Sequence, residues 1–253
     1  MNPQKRPTLS PPPDTRLATA CVLLYGDHPD LAARFFDAWG RYGNGLELRV
    51  GMNACSPATV DLVELAAARD SGIRVVRSTT NLGKPPMMRR LFRLAPIDTE
   101  WVVWFDDDSF PYRADWCASL AVAIEAQPDA VMLGIVAEVD VDERLRRRIE
   151  LAPWYRGRAL LPTDLPGRMG RIEFVLGGFW ALRTEWVGRL DWPHGPMTHS
   201  EDDYLLGEAI RQHGGQLGHF RSGVKVDTAP RRAPSNLGGL PSPWPSGESD
   251  SLD

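Results

Sequence analysis

The stretch Trp101-Val102-Val103-Trp104-Phe105-Asp106-Asp107-Asp108 decides the fold, because five bulky apolar residues run directly into three consecutive carboxylates. A short apolar run that is rich in aromatic and β-branched residues is typical of a strand buried on both faces of a sheet. Open α/β sheets bind ligands just beyond the carboxyl ends of their strands, which is where these acids lie. The stretch therefore predicts a central strand and the sheet edge at which a ligand binds.

The three adjacent acids carry the first chemical signal of the chain. Their ionised forms repel one another and are costly to bring together without a cation. In an extended backbone Asp106 and Asp108 point to one side and Asp107 to the other. Such an Asp-x-Asp pair can hold a hard divalent cation through oxygen ligands, with phosphate oxygens completing the shell. The alternative interpretation is a solvated acidic turn after the strand.

Strands and helices alternate on both sides of this stretch. Apolar strands are predicted at residues 18–25, 46–52, 73–76, 131–136 and 172–182. Ser56 is a suitable N-cap and Pro57 a suitable first residue for the helix after the second strand. Repeated strand–helix units predict an α/β fold in which helices flank a mostly parallel central sheet within a single domain.

Composition separates a folded centre from two tails. Residues 1–16 contain five prolines, and residues 230–253 are rich in Pro, Ser and Gly. Both tails are therefore predicted to be disordered, which leaves residues 17–229 as the folded domain. No stretch approaches the roughly 18 apolar residues of a membrane helix.

Charge and cysteine content narrow the class of protein. A formal net charge of -4 at pH 7 lacks the basic surplus that is usual in a general nucleic-acid binder. The three cysteines, Cys21, Cys55 and Cys117, are odd in number and lack metal-ligand spacing. Reduced thiols in a cytoplasmic protein are the simplest interpretation.

Basic residues and glycines add candidates near the same sheet edge. Lys84 and Arg89 belong to a loop and basic helix between the third strand and the acidic strand. At the sheet edge they could neutralise a diphosphate, although a solvated basic helix face is the alternative. Gly177 and Gly178 interrupt a later strand, where glycine often marks a bulge or a close backbone approach by a ligand.

A second acidic cluster, Glu201-Asp202-Asp203, opens a predicted helix. Ser200 fits its N-cap and Asp203 completes a capping box, while acids in a first turn favour the helix dipole. Capping alone is therefore one interpretation of the cluster. Capping does not need both Glu201 and Asp202 as well, so these carboxylates are also candidates for chemistry.

The order of these features resembles the family 2 glycosyltransferases of the GT-A fold over about residues 18–227. The resemblance rests on Asp106-Asp107-Asp108 at a strand end, on Gly177-Gly178-Phe179, and on Glu201-Asp202 at the start of a helix. It implies a Rossmann-like GT-A domain that transfers a sugar from a UDP-, GDP- or dTDP-sugar. The implied acceptor is a hydroxyl of a small molecule, peptide or glycan, and the implied reaction is an inverting direct displacement.

The resemblance also implies roles for individual residues. Asp106 and Asp108 would hold the donor diphosphate through Mn²⁺ or Mg²⁺, and a late third ligand is expected at His219 or Asp227. Asn53 stands where the family has an Asp that contacts the base. The residues expected beside the donor are Asn53, Asn81, Lys84, Arg89, Asp106, Asp107, Gly177 and Gly178.

The acceptor hydroxyl is expected to be activated by the second acidic cluster. By resemblance its Glu-Asp carboxylate is the general base, and Asp202 is the preferred candidate within Glu201, Asp202 and Asp203. A shift of the motif by one position would make Asp203 the base instead.

Two other classes of protein remain as alternatives. A nucleotidyltransferase has a related sheet, but it usually opens with a Gly-rich basic loop, whereas residues 25–30 read Tyr-Gly-Asp-His-Pro-Asp. A catalytically inactive nucleotide-sugar-binding protein would not need both acidic clusters. The sequence therefore favours the glycosyltransferase.

Overall fold

The computed structural model describes residues 17–152, 170–194 and 201–227. The two predicted tails and the predicted helix cap Ser200 lie outside these residues.

The strands of the described part are β1 (Ala18–Tyr25), β2 (Leu48–Asn53), β3 (Ile73–Ser78), β4 (Trp101–Asp106), β5 (Ser109–Pro111), β6 (Ala130–Asp140), β7 (Arg171–Arg183), β8 (Gln216–His219) and β9 (Val224–Val226). The helices are α1 (Pro29–Tyr42), α2 (Pro57–Arg69), α3 (Lys84–Phe92), α4 (Trp116–Ala126), α5 (Glu143–Leu151), α6 (Thr184–Arg189) and α7 (Glu201–Gln212). Ser56 caps α2 by accepting a hydrogen bond from the backbone N–H of Thr59, as the sequence predicts.

One large sheet in the described part runs in the order β3-β2-β1-β4-β7-β6-β8. Neighbouring strands are parallel from β3 to β4, and β8 is parallel to β6. Strand β7 is antiparallel to both β4 and β6. The predicted single α/β domain with a mostly parallel sheet is confirmed, and β4 lies near its centre.

Side chains of β4 alternate between two apolar cores, one on each face of the sheet. Trp104 packs on one face, where its ring stacks on Trp180 with a centroid distance of 5.6 Å. Trp101 and Phe105 pack on the opposite face, which also receives α1, α2 and α4. Residues Trp101 to Phe105 are all fully buried, so the predicted strand with two buried faces is confirmed.

A small sheet that the sequence did not predict forms where β5 pairs antiparallel with β9. Residues 109–111 form this strand, and the next helix begins at Trp116. The pairing sets Ser109 opposite Val226 and so brings the residues just outside the two strands together. No helix in the described part of the chain is long and apolar enough to cross a bilayer.

Candidate active site

Asp106, the last residue of β4, has both carboxylate oxygens engaged by protein donors. Oδ1 accepts a hydrogen bond from Trp104 Nε1 at 2.7 Å. Oδ2 accepts from Lys84 Nζ and from the backbone N–H of Gly178, each at 3.1 Å. Burial alone would raise the pKa of Asp106, but the Lys84 ammonium and these hydrogen bonds outweigh it and hold that pKa below its ordinary value.

Lys84 joins the two acidic clusters. Its Nζ lies 3.1 Å from Asp106, 3.2 Å from Asp202 and 3.5 Å from Asp203. Burial opposes the charged form of Lys84, yet the three carboxylates together raise the pKa of its ammonium well above the ordinary value. Lys84 is therefore a permanent cation between the end of β4 and the first turn of α7, which begins at Glu201.

Asp203 points into β7 from the first turn of α7. Its Oδ2 accepts a hydrogen bond from the backbone N–H of Gly177 at 2.8 Å. Burial raises the pKa of Asp203 to about 7; the Lys84 ammonium opposes this rise, while the charges of Asp202 and Asp106 add to it. Near neutral pH this carboxyl therefore carries a proton part of the time.

Apolar side chains line one side of the Lys84 cluster. A cavity of about 10 Å³, which is about the space of one water molecule, lies beside it. The residues around this cavity are Lys84, Met88, Trp180, Trp192, Asp202, Asp203 and Leu206. These walls limit hydration of the carboxylates, which is the physical cause of the raised pKa of Asp203.

The two consecutive glycines of β7 leave space for side chains of the same chain. A Cβ atom at Gly177 would lie 2.5 Å from Asp203 Oδ2, and one at Gly178 would lie 2.7 Å from the Val226 side chain. Gly178 also has a φ of +93°, which side chains rarely adopt. Both glycines are therefore required by internal packing, and their predicted contact with the donor stays a prediction.

The predicted base-contact residue Asn53 is buried beneath the loop that leads into α3, with only 2% of its surface exposed. Its Nδ2 donates to Asn81 Oδ1 at 2.8 Å, and its Oδ1 accepts from the backbone N–H of Leu82 at 2.8 Å. Asn81 Oδ1 also accepts from the backbone N–H of Gly83 at 3.0 Å. Asn53 and Asn81, both predicted to lie beside the nucleotide-sugar donor, are thus hydrogen-bonded to each other.

Asp108 and Asp227 meet at the end of the small sheet. The backbone N–H of Asp227 donates to the carbonyl of Asp108 at 2.8 Å. The Asp227 carboxylate accepts a hydrogen bond from Arg34 Nη1 at 2.6 Å. The guanidinium of Arg34 in turn lies over the Phe110 ring, 4.8 Å from its centroid.

Three further predicted site residues, His219, Arg89 and Asp107, lie on β8, on α3 and just after β4. His219 ends β8, three strand positions from β4 and hence about 14 Å across the sheet, so the fold does not bring it to the acids. Arg89 donates to the carbonyl of Trp192 at 2.9 Å rather than to a carboxylate of the cluster. Asp107 is 5% exposed and lies near Cys55. Burial of Cys55 raises the pKa of its thiol to about 11, and the charge of Asp107 adds to this rise.

The predicted metal ligands fit a divalent-cation site only in part. In residues 17–152, 170–194 and 201–227, no three His, Cys, Asp or Glu side chains are arranged to hold a metal ion. The oxygens of Asp106 are committed to protein donors, and His219 is remote. Asp108 and Asp227 carry hard oxygen ligands, and their backbones meet at one sheet end, where the Asp227 carboxylate also pairs with Arg34. These two residues are the part of the expected ligand set that the fold brings together, and phosphate oxygens would complete such a site.

The sequence model of Glycosyl transferase family 2 matches residues 50–190, more than half of the chain. The chain belongs to this family. The match includes β4 with its three acids and the double glycine of β7, and it ends before α7. The comparison with curated proteins gives no match.

Two solved structures share the GT-A fold of this family 2 member. A mannosyltransferase from Pyrobaculum calidifontis, PcManGT, was solved in complex with GDP-Man and Mn²⁺. It is 21% identical with a TM-score of 0.56, and the alignment covers 90% of this chain and 62% of that chain. The 1–349 segment of S. aureus TarS is 12% identical with a TM-score of 0.52, over 81% of this chain and 58% of that chain. The chain therefore spans less than two thirds of either structure.

Two residues of the candidate site, Trp104 and Arg34, were not predicted from the sequence. Trp104 precedes Asp106 by two positions in a strand, so period-2 geometry places both on one face and was a usable signal. Arg34 lies 193 positions from Asp227, and nothing local in the sequence links them.

Proposed function

We propose that the protein is a metal-dependent glycosyltransferase that moves a sugar from a nucleotide-diphosphate donor to an acceptor hydroxyl with inversion. The observation that carries this proposal is the meeting of both acidic clusters around the single ammonium of Lys84. In such a reaction the carboxylates of one cluster face the donor and those of the other face the acceptor. Membership of glycosyl transferase family 2 supports the same reaction class.

The donor diphosphate is proposed to bind between Lys84 and the pair Asp108 and Asp227. A divalent cation, Mn²⁺ or Mg²⁺, bound by these carboxylates would supply charge neutralisation for the leaving diphosphate. Lys84 adds a fixed cation on the opposite side and orients the phosphates. Asp106 holds Lys84 and the β7 backbone in place through its three hydrogen bonds.

Asp202 is proposed as the general base. The acceptor oxygen forms a bond to the anomeric carbon while the bond from that carbon to the diphosphate breaks, and the hydroxyl proton passes to the carboxylate. Both oxygens of Asp203 contact Gly177 or Lys84, whereas among the described residues Asp202 contacts Lys84 through Oδ2. Oδ1 of Asp202 is therefore proposed to accept from the hydroxyl. This difference supports Asp202 over Asp203, which is the alternative base.

The acceptor class is a small molecule, a peptide or a glycan with a free hydroxyl. A cytoplasmic location is also proposed, since Cys21, Cys55 and Cys117 are all free thiols in the structure.

The test begins with thermal stabilisation by UDP-, GDP- and dTDP-sugars in the presence of Mn²⁺ or Mg²⁺, followed by detection of transfer with the donor that binds. Asp202→Asn should keep donor affinity and lower transfer by about two to four orders of magnitude, the usual effect of losing a general base. Asp61→Asn, an exposed carboxylate on α2, is the matched control and should transfer normally. If Asp203→Asn alone abolishes transfer, Asp203 is the base; if neither variant lowers it, the mechanism is wrong.

A further inference from the structure

We propose that Asn53 is a positioning residue that sets the place of Lys84, and that it does not recognise the nucleobase. The inference rests on the proposed function, in which Lys84 binds the donor diphosphate. Asn53 ends β2, and the chain reaches Lys84 through the loop of residues 79–83 that packs above it. The amide of Asn53 is the link between the rigid strand and that loop.

The hydrogen bonds around Asn53 require an amide at this position. Asn81 Oδ1 accepts from the backbone N–H of Gly83, so its oxygen, and not its amino group, faces this junction. Asn53 must therefore present a donor to that oxygen, and its Nδ2 does so at 2.8 Å. Its own oxygen must accept from the N–H of Leu82. An ionised aspartate has no donor and would set its charge against the Asn81 oxygen.

The loop held in this way ends directly at Lys84. Gly83 adopts a φ of +81° and is the residue before the first turn of α3, where Lys84 begins the helix. The direction of α3, and hence the reach of Lys84 Nζ to three carboxylates, follows from the path of this loop. A shift of the loop therefore moves the ammonium away from Asp106, Asp202 and Asp203 together.

Direct recognition of a base by Asn53 conflicts with its surroundings. Only 2% of the residue is exposed, and its oxygen and amino group both already have partners in the loop. Its effect on a ligand must therefore pass through Lys84, which would contact the part common to all nucleotide diphosphates. A base-reading residue would instead affect one nucleotide more than another.

Calorimetric titration of UDP, GDP and dTDP in the presence of Mn²⁺ separates these two roles. Asn53→Leu, which removes the amide without adding charge, should weaken every nucleotide that the wild type binds by a similar factor of about ten, as expected for a lost buried hydrogen bond. In a Lys84→Met background the same substitution should change affinity less than twofold. Asn53→Asp provides a second variant of nearly the same volume if the leucine variant does not fold.

Ser78→Ala is the matched control, because it removes a hydrogen bond from Ser78 Oγ to the Thr80 carbonyl in the same loop without touching the amide pair. It should leave all affinities unchanged. A loss confined to one nucleotide, or a full loss that persists without Lys84, would overturn the positioning role.

The ligand-free protein gives an independent measurement. The thermal unfolding temperatures of Asn53→Leu, Lys84→Met and the double variant should be non-additive, with the double variant losing less than the sum of the two single losses. If the wild type binds none of the three nucleotides, the proposed function fails while this cycle still tests the link. Additive losses would refute the link itself.

Discussion

Replacing Asp203 by asparagine tests the electrostatics of the Lys84 cluster at the residue most affected by it. Asparagine keeps the shape of the side chain and can still accept the hydrogen bond from the Gly177 N–H. Burial, opposed by Lys84 and assisted by the charges of Asp202 and Asp106, raises the pKa of Asp203 to about 7 from an ordinary value of 3.8. The variant removes this titration from the folded protein.

The sign and size of the effect follow from proton binding. Between pH 3.8 and about 7 the folded protein holds the proton on Asp203 while the unfolded chain releases it. The free energy of unfolding of the wild type therefore falls as pH rises through this range. The pKa difference corresponds to at most about 4 kcal/mol. Asparagine does not titrate, so the free energy of unfolding of Asp203→Asn lacks this decrease between pH 3.8 and about 7.

The assay is urea or thermal unfolding of both proteins at several pH values from 4 to 8. Relative to wild type, Asp203→Asn should gain stability steadily as pH rises, by about 5–15 °C in Tm between pH 4 and pH 8 for a domain of this size. Asp61→Asn, which changes an exposed carboxylate on α2, should show no such trend. A difference between variant and wild type that does not depend on pH, or that favours the wild type at pH 8, would refute the explanation by burial and like charge.

Two further predictions concern the metal ligand and the glycine of β7. Asp108→Ala should abolish the additional thermal stabilisation that Mn²⁺ gives to a nucleotide-bound protein, because it removes one of the two fitted carboxylates; unchanged metal-dependent stabilisation would exclude Asp108 as a ligand. Gly177→Ala should lower the free energy of unfolding by about 1–3 kcal/mol, since its methyl group would lie 2.5 Å from Asp203 Oδ2. The same substitution in an Asp203→Ala background should cost clearly less, and an equal cost in both backgrounds would show that the contact with Asp203 is not the cause.

Local sequence patterns are enough to predict strand β4 and the start of helix α2. The five consecutive apolar residues are enough to predict β4, because a short run rich in aromatic and β-branched residues is typical of a strand with two buried faces. Parallel strands bring their carboxyl ends to one edge of a sheet, so the amino-acid sequence alone places Asp106 at that edge. The cap at Ser56 and the start of α2 at Pro57 are equally local, since they depend on neighbouring residues alone.

Tertiary structure decided how the site residues meet. Strands β5 and β9 are three residues each, and their pairing joins residues more than a hundred positions apart, which no local pattern encodes. That pairing brings Asp227 to Asp108 and leaves His219 on a distant strand. The glycines of β7 likewise indicated a close approach, but only the packing of α7 on β7 shows that Asp203 is the group that approaches Gly177.

The charge state of the cluster is also a property of the fold. Sequence places Lys84, Asp106 and Asp203 on three separate elements, and each would titrate at its ordinary pKa in a solvated chain. The pKa of about 7 for Asp203 requires burial beside apolar walls together with two like charges, and the strength of both effects depends on distances and dielectric that folding creates. Composition and order determined which groups are present, and three-dimensional packing determined which of them lie buried beside one another.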